Sequence, residues 1–203
     1  MTTILKITED DFESAVDIAS TFLKSGGTII YPTDTVYGIG GDATSGIVVK
    51  EILKIKKIKE PRPLSIMVSD ASMVEYYCET GIWEDMILNK YLPGPYTFIL
   101  KKRRPLPASQ TEKIGVRYPE SVFCQALCRK FGRPIITTSA NISGNDSPVT
   151  FDQIDKKILN NVKIAIDGGP TKYQAASLIV DLVDRTVLRS GGEAISLIEL
   201  PEY

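Results

Sequence analysis

An apolar strand gives way to a polar loop at Tyr31-Pro32-Thr33-Asp34-Thr35-Val36-Tyr37-Gly38. The residues Thr28-Ile29-Ile30-Tyr31 are β-branched or aromatic and predict a short buried strand, after which Pro32 removes a donor from the ladder. Two threonines and an aspartate follow where this strand ends. In open α/β sheets this rim is a common ligand site, because loops there are positioned by a rigid sheet. We therefore expect the octapeptide to face a ligand.

The composition suits one large domain. The chain has 203 residues, of which 43% are hydrophobic and 24% are charged, and we expect one domain over residues 1–203. The net charge of −1 argues against a general polyanion binder. Basic runs at 54–62 and 101–104 could still form a local basic face, although each run alone is more simply a solvated surface.

Histidine and cysteine usage excludes several classes of site. The chain has no histidine, which rules out Cys/His zinc sites and nucleophilic dyads that need an imidazole. Cys78, Cys124 and Cys128 form no Cys-x-x-Cys pair and fit buried thiols in a reducing cytosol. No apolar run reaches the roughly 18 to 20 residues that cross a bilayer, and no signal-like segment opens the chain. We expect a soluble, unprocessed, cytoplasmic protein without a membrane partner.

Apolar periodicity alternates helices with strands. Helices are predicted at 12–23, 45–57, 82–92, 121–131 and 151–159. Strands are predicted at 28–31, 64–68, 96–101, 114–118, 134–138, 163–167, 177–181 and 186–189. This alternation predicts an α/β fold, and the strands clustered near the end favour a mixed sheet over a purely parallel one.

Known nucleotide-binding motifs are missing or unconvincing. The sequence contains no G-x-x-x-x-G-K-[ST] phosphate loop. Gly38-x-Gly40-x-x-Ala43 formally matches a dinucleotide fingerprint, but its first glycine does not directly follow the strand, so we reject it. We interpret these glycines as a turn that lets the chain fold back.

Five separated segments carry a more specific signal when they are taken together. They are 31–38, Lys54-Ile55-Lys56-Lys57 with Arg62-Pro63-Leu64-Ser65-Ile66, Leu92-Pro93-Gly94-Pro95-Tyr96-Thr97, Ile114-Gly115-Val116-Arg117-Tyr118-Pro119, and Thr137-Thr138-Ser139-Ala140-Asn141-Ile142-Ser143-Gly144. In order and spacing they resemble the YrdC/TsaC family of L-threonylcarbamoyladenylate synthases, over roughly residues 26–191. The resemblance implies a twisted mixed sheet flanked by helices, with a large, concave, basic cavity.

The family's reaction is what the resemblance implies for this chain. L-threonine, bicarbonate and ATP give threonylcarbamoyl-AMP and pyrophosphate, with Mg²⁺ accompanying ATP and no metal-ligating residues expected in the chain. The product feeds a tRNA threonylcarbamoyl transferase complex that modifies an adenosine beside the anticodon. Whether tRNA or double-stranded RNA is contacted directly stays open.

Residue roles follow from the same resemblance. The positions that match threonine contacts are Thr35, Arg117, Thr137 and Ser177. The positions that match nucleotide contacts are Arg62, Lys113, Ser139, Asn141, Ser147 and Arg189, while Lys56 matches a catalytic cation that steadies the phosphates or bicarbonate. Chemistry supports Arg117 independently, because a guanidinium binds a carboxylate with two parallel bonds and a charge in an apolar strand must be paired.

The chain departs from the family pattern near the matched lysine. The family's arginine two residues further on falls at Ile58, and we expect Arg62 or Lys59 to supply the missing charge, unless the alignment shifts by a residue or two. Met67 takes a position that can be a threonine-contacting histidine. Within the octapeptide we expect Thr35 to contact the ligand and its neighbours, Asp34 included, to act as scaffold by satisfying the turn.

Two other functions remain open at this point. One is a non-catalytic YrdC-like module that binds double-stranded RNA or tRNA on the same basic surface, which steep salt dependence would reveal. The other is an enzyme that makes a different carbamoyl-adenylate, against which the missing acylphosphatase-like and zinc-binding segments of larger relatives count.

Overall fold

The computed structural model describes residues 2–8, 10–60 and 62–200. The helices in this part of the chain are α1 Phe12–Lys24, α2 Gly46–Ile55, α3 Ala71–Tyr77, α4 Ile82–Tyr91, α5 Val122–Phe131 and α6 Lys156–Leu159, with a 3₁₀ turn at Phe151–Gln153. The strands are β1 Thr3–Lys6, β2 Ile29–Pro32, β3 Tyr37–Gly40, β4 Ile66–Met67, β5 Cys78–Glu79, β6 Tyr96–Lys102, β7 Lys113–Arg117, β8 Ile135–Ile136, β9 Thr138–Ser139, β10 Ile164–Asp167, β11 Leu178–Asp181 and β12 Thr186–Arg189.

The strands divide between two mixed sheets. The first has the order β1-β10-β2-β3-β9, in which β10 pairs in parallel with β1 and β2 and antiparallel pairing joins the rest. The second has the order β12-β11-β6-β7-β4-β8, with β5 beside β6. Within it, β11 with β6 and β4 with β7 are parallel pairs. The predicted mixed α/β architecture is confirmed, with two sheets in place of one.

The two sheets meet where β3 runs out beside β8. Ile136 donates its N–H to the Gly41 carbonyl at 2.8 Å, and Tyr31 Oη donates to the Ile136 carbonyl at 3.2 Å. Gly40 permits this approach, since a Cβ there would lie 2.1 Å from the Ile136 oxygen. The junction brings the loops after β2 and β8 to one place.

Side-chain caps fix where the helices begin. Ser45, Asp70 and Ser121 each accept a backbone N–H three residues further on, at the starts of α2, α3 and α5. Gly132 ends α5 with a φ of 75°, a left-handed conformation that glycine adopts without strain. These side chains therefore set the first turns of α2, α3 and α5, and Gly132 sets the end of α5.

Other expectations about local structure were wrong. The glycines interpreted as a turn lie in strand β3, and the turn comes earlier, where Thr33 Oγ1 donates to the Val36 carbonyl at 2.7 Å. Strand β1 had no clear alternating pattern and was not expected. The predicted strand 134–138 divides into β8 and β9, and the predicted helix 151–159 divides into the 3₁₀ turn and α6.

Burial separates the helix faces as periodicity predicts. Cys124 and Cys128 lie one turn apart on α5, buried and free of disulfides, and pack with α1 residues such as Leu23. A larger apolar cluster fills the space around the second sheet. Of the helices in the described ranges, none combines the length and apolar character required of a membrane span.

Candidate active site

A cavity of about 310 Å³ opens where the ends of the two sheets meet. Its lining residues are Thr33, Thr35, Val36, Gly38, Arg62, Pro63, Leu64, Ser65, Thr97, Arg117, Thr137, Thr138, Ser139, Ser147, Ala176, Ser177, Ile179 and Arg189. Three arginines and many hydroxyls are present, and no aspartate or glutamate is found among these described residues. Such a lining suits an anionic ligand with several oxygens.

Arg117 ends β7 inside the cavity wall and is only 6% exposed. Its Nη2 donates to Asp34 Oδ1 at 2.6 Å, so the expected pairing of this buried charge is confirmed. Its Nε is buried and has no hydrogen-bond partner within the part of the chain that the structure describes. Arg117 also lines the cavity, so its guanidinium is placed to meet a ligand's acceptor there.

Asp34 is more than turn scaffold. Its carboxylate is buried, accepts from Arg117 through Oδ1, and accepts the Glu120 N–H through Oδ2 at 3.0 Å. Its backbone carbonyl accepts the Tyr173 N–H at 2.8 Å. The signal for this role was present in the sequence, since a buried arginine requires an acidic partner, but only the fold places Asp34 beside it.

Thr35 lies in the cavity lining and is fully buried. Thr33 and Val36 of the same turn also line the cavity. Thr33 Oγ1 lies 3.0 Å from Thr35 Oγ1 and accepts the Thr35 N–H at 3.1 Å. Thr171 donates its hydroxyl to the Thr35 carbonyl at 2.7 Å. The turn is therefore rigid, and Thr33, expected to be scaffold, is also part of the lining.

A hydroxyl pair, from β6 and from the residue just before β11, also lines the cavity. Thr97 and Ser177 have their hydroxyls 2.8 Å apart, and both side chains are buried. Arg189 donates from Nη2 to the Ser177 carbonyl at 2.9 Å and to its hydroxyl at 3.1 Å. Burial, and then the positive charge of Arg117, lowers the pKa of Arg189, and both arginines line the same cavity. Thr97 lies in one of the five motif segments, but no role was predicted for it.

Lys56 lies behind the cavity wall and not in its lining. It is 1% exposed, and its Nζ donates to the Ser139 carbonyl, to the Asn141 carbonyl at 2.9 Å and to Asn141 Oδ1 at 3.0 Å. Burial chiefly, and the charge of Arg62 secondarily, lower the pKa of Lys56 to about 7. With three acceptors for three hydrogens, this lysine positions the loop from 139 to 141, and its predicted contact with the phosphates or bicarbonate stays a prediction.

In the loop bonded to Lys56, Ser139 lines the cavity and Asn141 does not. Ser139 Oγ lies in the lining and donates to Asn141 Oδ1 at 2.6 Å, while Asn141 Nδ2 donates to the Asn145 carbonyl. Asn141 lies outside the cavity lining and orients the loop, whereas Ser147 further along reaches the lining. Thr137, just before β9, lines the cavity as well.

Arg62 brings a positive charge to the cavity wall. Arg62 lines the cavity, whereas half-buried Ile58 and exposed Lys59 do not. The basic run is not a continuous surface, because Lys56 within it is buried. Met67 is fully buried in the core, so no side chain there takes the place of a ligand-contacting histidine.

The structure does not bring Lys113 to the other predicted site residues. Lys113 begins β7, four residues before Arg117, and is absent from the cavity lining. Its Nζ lies 3.0 Å from Asp181 Oδ2 and 2.7 Å from Asp184 Oδ1. These carboxylates occupy its charge, and we leave Lys113 out of the site proposed below.

A protein-family model matches most of the amino-acid sequence. The model for Sua5/YciO/YrdC proteins, described as "Telomere recombination", matches residues 21–191. The chain belongs to this family. The predicted resemblance is thereby confirmed over most of the described chain.

Relatives and solved structures agree with this assignment. A Methanocaldococcus jannaschii protein with the provisional name threonylcarbamoyl-AMP synthase is 35% identical over 186 residues, covering 91% of this chain and 88% of its own. The crystal structure of Pyrococcus abyssi Sua5 complexed with L-threonine superposes with a TM-score of 0.84 at 28% identity, over 95% of this chain and 58% of that one. Escherichia coli YciO gives 0.84 at 25% identity, over 95% and 97%. The chain spans 60% of the length of the curated relatives from Pyrococcus abyssi and Bos taurus.

Proposed function

We propose that this chain is a threonylcarbamoyl-AMP synthase, which joins L-threonine, bicarbonate and ATP and releases pyrophosphate. The observation that carries the proposal is Arg117, held by Asp34 in the lining of a cavity that Arg62 and Arg189 also line. Such a cavity suits two anions at once, an amino-acid carboxylate and a polyphosphate. Family membership and the named relatives point the same way.

On the amino-acid side, Arg117 donates to the threonine carboxylate through its free N–H groups. The hydroxyls of Thr35, Thr137 and Ser177 lie in the same lining and offer both donors and acceptors to the substrate's amine and side-chain hydroxyl. Thr97, hydrogen-bonded to Ser177, keeps that hydroxyl oriented.

On the nucleotide side, Arg62, Arg189, Ser139 and Ser147 surround the phosphates. Mg²⁺ belongs to this proposal as part of the MgATP substrate, held by phosphate oxygens. The described ranges contain no group of three or more cysteine, aspartate or glutamate side chains able to hold an ion by themselves. Lys56 and Asn141 act indirectly, by fixing the loop that carries Ser139.

The reaction needs alignment and charge neutralisation more than acid–base chemistry. The threonine amine adds to the carbon of bicarbonate, water leaves, and the product is a carbamate. A carbamate oxygen then attacks the α-phosphorus while the bond from that phosphorus to pyrophosphate breaks. The arginines offset the negative charge that gathers on the departing pyrophosphate, and the rigid turn at Thr33 and Thr35 orients the nucleophile.

The product must be handed on. A mixed anhydride of a carbamate with AMP is prone to hydrolysis, so we assign its use to a transferase complex that modifies a tRNA adenosine. The three free, buried thiols fit the reducing cytoplasm, where that modification would occur. The interruption of the basic run by buried Lys56 gives no support to a purely RNA-binding role.

The test is an amino-acid panel. The purified chain is mixed with ATP, Mg²⁺, bicarbonate and one amino acid at a time, and pyrophosphate release is measured. Threonine should stimulate release well above every other amino acid. Release that is equal for all amino acids, or absent with threonine, would contradict the proposal.

A further inference from the structure

We infer that Asp34 is a positioning residue for the amino-acid substrate, because it holds one end of the Arg117 guanidinium and leaves the remaining donors for the substrate's carboxylate. The inference rests on the proposed function and deepens it. It assigns to Asp34 a role that acts wholly through another side chain.

The carboxylate of Asp34 presents no accessible oxygen to a ligand. Oδ1 accepts from Arg117 Nη2 at 2.6 Å and Oδ2 accepts the Glu120 N–H at 3.0 Å. The side chain is 0% exposed and lies outside the cavity lining. A substrate in the cavity therefore meets Arg117 and not Asp34.

Asp34 connects Arg117 to the backbone on two sides. Its carboxylate links the end of β7 to the Glu120 N–H just before α5, and its carbonyl accepts the Tyr173 N–H from the segment before β11. The guanidinium is thus tied to a frame of main-chain groups, as preorganised sites require. Its buried Nε remains unpartnered among the described residues.

Asp34 also offsets part of the positive charge in the cavity. Arg62 and Arg189 line the same cavity, and the charge of Arg117 contributes to lowering the pKa of Arg189. Without a counter-charge, Arg117 would be pushed away from them. Loss of Asp34 would also leave more positive charge in the cavity, which by itself would tighten the binding of any anion. Positioning and neutralisation therefore predict opposite signs for the effect on threonine.

The Asp34→Asn variant separates a positioning role of Asp34 from charge neutralisation. The amide keeps the shape and one acceptor, but its NH₂ group cannot accept the Glu120 N–H. Because hydrogen bonds to charged groups contribute about 1.5 to 3 kcal/mol, we expect the KM for threonine to rise roughly 10- to 100-fold. The KM for ATP should stay within about twofold of the wild-type value, since the Asp34 side chain bonds to Arg117 and to the Glu120 N–H and not to the nucleotide side of the cavity. An unchanged or lower KM for threonine overturns the inference.

Two analogues identify which substrate group is affected. (R)-3-hydroxybutyrate keeps the carboxylate and lacks the amine, whereas L-threoninol keeps the amine and lacks the carboxylate. Asp34→Asn should weaken inhibition by the first as much as it weakens threonine, and leave the second unchanged. Equal losses for both analogues would mean general damage to the cavity and would overturn the inference.

A matched control exists elsewhere in the fold. Asp42 is also buried, pairs with Arg133 and lies outside the cavity lining. Asp42→Asn should lower the melting temperature but leave the KM for threonine unchanged. In addition, Asp34→Asn should add little to the threonine defect of Arg117→Ala, because both changes remove the same contact. A fully additive double variant counts against the inference.

Binding measurements keep this inference separate from the function. If the wild-type chain binds L-threonine in a calorimeter but forms no product, the proposed function fails while the role of Asp34 is still tested by the loss of binding in Asp34→Asn. If that variant does not fold, the wild-type protein suffices. L-threonine should shift the Arg117 guanidinium resonances in a ¹H–¹⁵N spectrum, and no shift at saturating threonine would overturn the inference.

Discussion

The surroundings of Lys56 predict how the free energy of unfolding changes with pH, in both direction and size. Burial and the charge of Arg62 lower its pKa from 10.5 to about 7, a shift that corresponds to on the order of 5 kcal/mol against the charged form. In the unfolded chain the lysine keeps its proton up to the ordinary value. Between pH 7 and 10 the unfolded state therefore binds more protons than the folded state, and stability rises with pH.

The perturbation is Lys56→Met, which keeps the length of the side chain and removes the titrating group. Relative to this variant, the wild-type free energy of unfolding should increase by roughly 2.5 kcal/mol from pH 6 to pH 9. Taking the difference between the two proteins cancels the other titrating groups, such as the buried Cys124, whose pKa is raised to about 12. Urea unfolding at each pH supplies the measurement.

Lys54→Met is the control, because Lys54 is exposed in the last turn of α2, two residues before Lys56, and should give a difference that does not change with pH. A flat difference for Lys56→Met would refute the reasoning. It would mean that the three oxygens around Nζ stabilise the ammonium enough to offset its burial.

Further expectations concern the cavity and the junction of the sheets. Arg117→Ala should weaken threonine binding at least tenfold and leave ATP binding nearly intact by calorimetry, and equal losses would make Arg117 structural. Arg62→Ala should raise the KM for ATP or slow turnover while exposed Lys59→Ala does neither; identical kinetics for both would remove Arg62 from the nucleotide side. Gly40→Ala would place a Cβ 2.1 Å from a backbone oxygen and should destabilise the fold by about 1 to 3 kcal/mol or more in urea unfolding, and an unchanged midpoint would contradict the close approach of β3 and β8.

Much of the fold could be predicted because local patterns and tertiary structure agree. Helix α5 has an apolar face, a serine cap and a terminal glycine, and each signal is met in the structure. Strand β3 was missed because its two glycines favour a turn locally. Only the distant carbonyl of Ile136 explains why the strand needs Gly40.

The site could be predicted in part, for a related physical reason. Motif positions identified residues that point into the cavity, such as Arg117 and Arg189, but did not separate them from residues that support it. Lys56 and Asn141 belong to the second group, because burial and hydrogen bonds to the loop occupy their polar atoms. Asp34 was underestimated since its partner is 83 residues away in the chain.

The most direct test of the account follows carbon from bicarbonate into the product. The chain is incubated with ¹³C-bicarbonate, L-threonine and MgATP, and adenylates are analysed by mass spectrometry. We predict an adenylate that contains threonine and one labelled carbon, formed together with pyrophosphate. An adenylate of threonine without the label, or ATP cleavage with no threonine-containing product, would contradict it.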